Sequence, residues 1–306
     1  MPAVVLESSG GAAIVGGTQF DFRVRFLIPH FGEWPRFLPA FLVSCEENTK
    51  FEWYILTDLP KVEAPANVNF IHITLSDFLR LAEQRLGVPV NKTAYGLCDL
   101  RPALGVVCEE FLKGVDFWGH CDLDVIWGRL EIFLSEEHLR TYDVISSRPG
   151  YIAGHCSVYR NYPSVNYLFA SLPGFFSDLA RPENMHIDEI RMSSLLRKQR
   201  MVRVFWHRQY VADEEQLAFM PYGWERIEVC LFYRDQEYPY LHCFTLKKTL
   251  HYIDFPFNTR PSRFKITPRR FYAQIASVFS GCTHVLVETP LVLGARYKSL
   301  SHWQEN

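Results

Sequence analysis

A chain of 306 residues with a formal charge of −2 and 48% hydrophobic residues is long enough to bury a substantial core and too apolar for global disorder. The near-balanced charge excludes nucleic acid as a partner held by bulk electrostatics, and no apolar run approaches the roughly 18 residues of a spanning helix. Eight cysteines without a C-x-x-C pair exclude zinc-finger spacing and read as reduced, mostly buried thiols of a cytoplasmic protein.

Residues 1–20 are small and Gly-rich with no basic leader region, so disorder is expected there rather than a signal peptide. Phe22 to Ile28 alternates and then turns fully apolar, which predicts a first strand buried on both faces. It ends in the turn Pro29-His30-Phe31-Gly32. Trp34 to Cys45 carries apolar residues at helical spacing, with Pro35 near the first turn. Phe51 to Leu56 is a second strand stopping at Thr57-Asp58, Asn67 to Ile73 a third, and Ser76 to Leu86 a helix capped by Ser76. This order predicts an α/β fold with a mostly parallel central sheet flanked by helices and right-handed crossovers. In such sheets ligands sit beyond the carboxyl ends of the strands. Pro29 to Gly32 and Asp58 lie there, and Asp58 reads either as a ribose or base contact or as a turn cap.

Tyr95 to Gly105 (YGLCDLRPALG) places Asp99 and Arg101 inside an apolar stretch. They either pair with each other or send one group to a ligand phosphate. The strand Val115 to Cys121 then delivers Asp122 and Asp124, which in extended backbone face the same way. Two carboxylates in apolar surroundings repel and lose hydration unless a cation compensates, and a hard divalent ion, Mn2+ or Mg2+, prefers oxygen ligands. A solvated Asp-rich turn is the plainer alternative.

Tyr142 to Ser147 reads as a further strand, and Asp188-Glu189 precede a helix from Ile190 to Leu196. That pair serves either the helix dipole or proton transfer. His242 sits in an apolar strand, Tyr240 to Thr245, five residues before Lys247; it is either a satisfied core histidine or a metal ligand followed by a phosphate contact. Residues 259–306 read as a C-terminal extension packing on a domain of residues 21–258. Its apolar helical stretch, Phe271 to Phe279, suits core packing, a partner or peripheral contact with a membrane surface.

The ordered segments IPHFGEWPRF, FEWYILTD, YGLCDLRPALG, FWGHCDLDVIWG, GHCSVYRN and LHCFTLKK together resemble a GT-A-type nucleotide-sugar glycosyltransferase of a polysaccharide-biosynthesis-like group. The resemblance implies a single GT-A-like, Rossmann-like domain. It implies that Asp122 and Asp124 form an Asp-x-Asp motif holding Mn2+ or Mg2+ against a donor diphosphate, with a UDP-sugar the expected donor and a glycan hydroxyl the expected acceptor. It puts His242 at a third metal ligand and Lys247 at the leaving phosphate. Asp58 and Pro29 to Gly32 fall at the nucleotide end, and Asp188, with Glu189 second, at the acceptor-activating base of an inverting enzyme. Where relatives carry a lysine this chain has Gly96, so that phosphate contact falls to Lys92 or Arg101. An inactive nucleotide-sugar-binding scaffold and a metal-dependent phosphohydrolase are the competing readings.

Overall fold

The computed structural model describes residues 21–207, 224–233, 236–243, 261, 263–266 and 271–274. The stretch expected to be disordered, 1–20, and Lys247 lie outside the described residues.

The fold is α/β. Seven strands form the central sheet: β1 (Val24–Pro29), β2 (Phe51–Thr57), β3 (Val68–His72), β4 (Phe117–Cys121), β6 (Val144–Ser146), β7 (Cys156–Arg160) and β8 (Val204–Trp206). Their order is β3-β2-β1-β4-β7-β6-β8. Every neighbouring pair is parallel except the two that involve β7, which runs against both β4 and β6. Alternation along β1 sends Phe26 and Ile28 to one core, with Phe41, Trp53 and Trp127, and Leu27 to the other, with Leu56, Phe78 and Trp118. Both sheet faces are therefore covered, as the apolar runs require.

Helix boundaries differ from the sequence expectation for local reasons. Helix α1 is Leu38–Glu46, starting after Trp34 and Pro35, so Pro39 and not Pro35 occupies its first turn. The Trp34 ring stacks on His30 at 5.5 Å and its indole donates to the Pro60 carbonyl, which holds this segment outside the helix. Helix α2 is Leu75–Leu86, and its cap is Thr74, not Ser76: the Thr74 hydroxyl accepts from the Asp77 amide. Gly87 closes it at φ 70°, the left-handed conformation that glycine adopts without penalty.

A five-stranded antiparallel sheet, β11-β10-β9-β13-β14, follows: β9 (Trp224–Ile227), β10 (Cys230–Tyr233), β11 (Gln236–Tyr238), β13 (Arg263–Ile266) and β14 (Phe271–Gln274). The helix expected over Phe271 to Phe279 is corrected here, because its first four residues pair with β13. A short apolar run satisfies either backbone, and a waiting strand edge decides. The remaining two strands, β5 (Val125–Trp127) and β12 (Tyr240–His242), pair antiparallel. The buried Arg226 guanidinium ties β9 to the main body through Glu47 at 2.7 Å and the Trp127 carbonyl at 3.1 Å. No helix among the described residues is long and apolar enough to cross a membrane.

Candidate active site

A cleft of about 900 Å³ opens at the carboxyl ends of β1 and β4. Its floor is the turn between β4 and β5, which carries Asp122 and Asp124. The turn is fixed at both sides: the Asp122 amide donates to the His155 carbonyl at 3.1 Å, and the Cys243 amide donates to the Asp124 carbonyl at 2.8 Å. Leu123, between them, is buried in the core, so the two carboxylates emerge on the same side.

His242 arrives from the far end of the chain. The β5–β12 ladder sets His242 opposite Val125, one residue beyond Asp124. Its Nε2 lies 3.6 Å from Asp124 Oδ1 and 4.0 Å from Asp122 Oδ2, and one donor atom from each of the three residues falls within 4.8 Å of the others. An octahedral ion with bonds of about 2.1 Å spaces its ligands by about 3 to 4 Å, and the two His242 distances lie in that range, so the set is a candidate site for a divalent cation. Carboxylates suit hard divalent ions and an imidazole suits the transition metals among them. His155 stacks flat on His242 at 4.1 Å and has its own Nε2 against the Tyr240 hydroxyl at 3.0 Å, which orients the His242 ring. Burial, and then the neighbouring His242, holds His155 well below the usual imidazole range, so it stays neutral.

Beside the carboxylates lies Arg101. Its guanidinium pairs with Asp122 Oδ1 through one nitrogen and with Asp188 Oδ2 at 3.0 Å through the other. Asp122 thus keeps Oδ2 turned to His242. Asp188 is buried, and desolvation pushes its carboxyl up to about 6 despite Arg101. Glu189 is tied to the Gly154 amide at 3.0 Å and the Tyr151 hydroxyl at 3.0 Å. Gly154 leaves room for this group: a Cβ on it would sit 2.7 Å from Glu189 Oε1, 2.9 Å from Arg101 Nη1 and 3.1 Å from Asp188 Oδ2. His120, next to this group, has Nδ1 against the Gly154 carbonyl at 3.0 Å. Burial, with Arg101 adding to it, lowers His120 to about 3.

Other sequence-derived candidates fall elsewhere. Pro29 and His30 line the cleft, but Phe31 is buried against Phe78, and Gly32 serves the turn at φ 112°. Asp58 is exposed past the end of β2 and does not border the cleft. Asp99 does not pair with Arg101. It is fully buried against Lys92 at 2.7 Å and accepts the amides of Met185 and Ile187. Lys92 is equally buried and so does not face a ligand phosphate; of the two cations set against the Gly96 departure, Arg101 is the one in the cleft. A side chain at Gly96 would be crowded, with a Cβ 3.2 Å from the Pro182 carbonyl and 3.3 Å from Lys92 Cδ. Cleft residues that no sequence signal marked are Tyr95, Arg148, Asn184 and His186.

The structure therefore defines an α/β protein with a candidate divalent-cation site at the floor of an open cleft. Residues 26–275 match the model of DUF6625, a family of unknown function, and the chain belongs to that family. No curated protein matches it. Among solved structures the chain is similar to the galactosyltransferase LgtC in complex with donor and acceptor sugar analogues, with 11% identity, 65% of this chain and 78% of that one covered, and a TM-score of 0.36. An active-site mutant of LgtC is similar to the same extent, with 11% identity, the same coverage and a TM-score of 0.37. At those values the likeness carries nothing about this chain's fold or chemistry.

Proposed function

We propose that the protein is a metal-dependent glycosyltransferase of the GT-A type, moving a sugar from a nucleoside diphosphate, UDP the expected carrier, to a hydroxyl of a glycan. The observation that carries this reading is the convergence of Asp122, Asp124 and His242 within 4.8 Å at the floor of a cleft large enough for a nucleotide sugar. These three residues would hold Mn2+ or Mg2+, whose charge stabilises the diphosphate as it leaves.

The chain's own groups supply the rest. Arg101 sets one positive charge against the two carboxylates it spans and is the cleft cation proposed to face the leaving oxygens. Lys247, outside the described residues, is the second cation proposed at that phosphate. Pro29 and His30 bound the nucleotide end. In an inverting transfer the sugar–phosphate C–O bond breaks with its electron pair passing to the diphosphate. The acceptor oxygen bonds to the sugar, and its proton goes to a carboxylate. Asp188, its carboxyl raised to about 6 by burial, is the proposed base, with Glu189, held by Gly154 and Tyr151, second.

Purified protein should show a thermal shift with UDP that requires Mn2+, and should release UDP from at least one UDP-sugar. Asp124→Ala should lose both. Absence of any Mn2+-dependent shift with UDP, GDP or CMP would sink the proposal, and release of inorganic phosphate alone would point to a phosphohydrolase instead.

A further inference from the structure

The loop that brings Asp188 to the cleft is fastened from behind. Lys92 Nζ donates to the Glu183 carbonyl at 2.8 Å, and Asp99 accepts the amides of Met185 at 2.8 Å and Ile187 at 3.0 Å. The odd-numbered residues are thus bolted to a fully buried ion pair. The even-numbered ones, Asn184, His186 and Asp188, border the cleft. His186 takes φ 52°, a left-handed conformation that side-chain-bearing residues rarely adopt, and the Asn184 side chain accepts its amide at 2.9 Å.

Tyr95 borders the cleft and is 73% exposed, the most open aromatic ring in its lining. Because Arg101 spans from Asp122 to Asp188, this wall lies beyond Asp188 from the candidate metal site. A hydroxyl that gives its proton to Asp188, the proposed base, therefore lies next to this wall.

From this placement, and resting on the transferase reading above, we infer that Tyr95, Asn184 and His186 form the acceptor subsite and that it takes a neutral saccharide. The exposed tyrosine face supplies a stacking platform for the apolar face of a sugar ring. Asn184 and His186 supply hydrogen bonds to its hydroxyls. None of the three carries a fixed positive charge, so this wall itself offers no cation to an acceptor's phosphate or carboxylate. The buried Lys92–Asp99 pair, which does not border the cleft, acts by holding Asn184 and His186 in register.

The test is steady-state kinetics on the full chain with Mn2+, the UDP-sugar that wild type turns over, and a panel of neutral mono- and disaccharides beside their phosphorylated forms. At least one neutral saccharide should accelerate UDP release and be glycosylated. Tyr95→Ala should then raise the acceptor KM about ten-fold while the donor KM stays within about two-fold, and Tyr95→Phe should restore the acceptor KM. His186→Ala should shift the acceptor KM in the same direction. Equal changes in donor and acceptor KM, or preference for the phosphorylated saccharides, would overturn the inference. So would donor turnover that no neutral saccharide accelerates. Failure of wild type to turn over any nucleotide sugar would instead remove the transferase reading itself.

Discussion

Asp188 and Gly154 show how single residues set the chemistry of the cleft. Burial raises the Asp188 carboxyl to about 6, and to act as the proposed base it must be ionised. Transfer should therefore rise with pH through a limb near 6 and level off above it, and Asp188→Asn should abolish the limb together with most of the rate. Linkage gives an independent reading. A carboxyl whose folded value lies above its unfolded one binds its proton more tightly in the native state, so stability falls as pH rises between about 4 and 6. Denaturant titrations across that window should show the decline in wild type and a flatter profile in Asp188→Asn. At Gly154 the argument is steric. The methyl of Gly154→Ala would enter the space shared by Glu189, Arg101 and Asp188 and displace them by a sizeable fraction of an ångström. A misplacement of about 1 Å can cost about 10²-fold in rate, so kcat should drop by up to that order while far-UV circular dichroism stays unchanged. The Asp-x-Asp pair was legible in the sequence as two close carboxylates in apolar surroundings, but what turns them to one side is a pinned turn and not the alternation of a strand. The role of Asp99 was not legible: Asp99 and Arg101 look alike inside one apolar stretch, and only the fold shows that one is locked to Lys92 and the other reaches the cleft.

Elements carry the next level of constraint. The Lys92–Asp99 pair joins the segment before Tyr95 to the loop before Asp188, both irregular, and neither is stabilised by a long helix of its own. Removing one member of a buried pair leaves the other charge stranded, at a cost of about 3 to 5 kcal/mol. Asp99 retains two backbone donors in Lys92→Met, so the expected loss lies near about 3 kcal/mol, measurable as a lower urea midpoint with unchanged slope. Strands β1, β2 and β4 could be read from their apolar runs, but the reversed direction of β7 could not, since periodicity reports which face is buried and not which way a strand points. The same limit explains Phe271 to Gln274, where a helical reading gave way to pairing with β13. At Trp34 the misplaced helix start has a different origin: ring stacking on His30 holds that segment as cleft wall, a long-range preference that local propensity does not contain.

Across the whole molecule, the α/β class was readable from the alternation of strands and helices, whereas the second sheet was not. Its strands are short and aromatic, and their order depends on joining residues 224–238 with 263–274. The most consequential long-range join is smaller still, the three-residue ladder between β5 and β12. It brings His242 to a site otherwise built from Asp122 and Asp124, so the candidate ligand set exists only while that ladder is closed. Ion binding and ladder closure must then favour each other. A cation at a hundred times its dissociation constant stabilises the closed form by about 2.7 kcal/mol. In hydrogen–deuterium exchange the Cys243 amide, which donates to the Asp124 carbonyl, should exchange up to about a hundred-fold more slowly with Mn2+ than after chelation, wherever opening of the ladder governs its exchange. The Phe26 amide, deep in β1, should not change. Such a response would make the ion a clasp between two distant stretches of chain, with the cleft floor assembled by the same event that loads it.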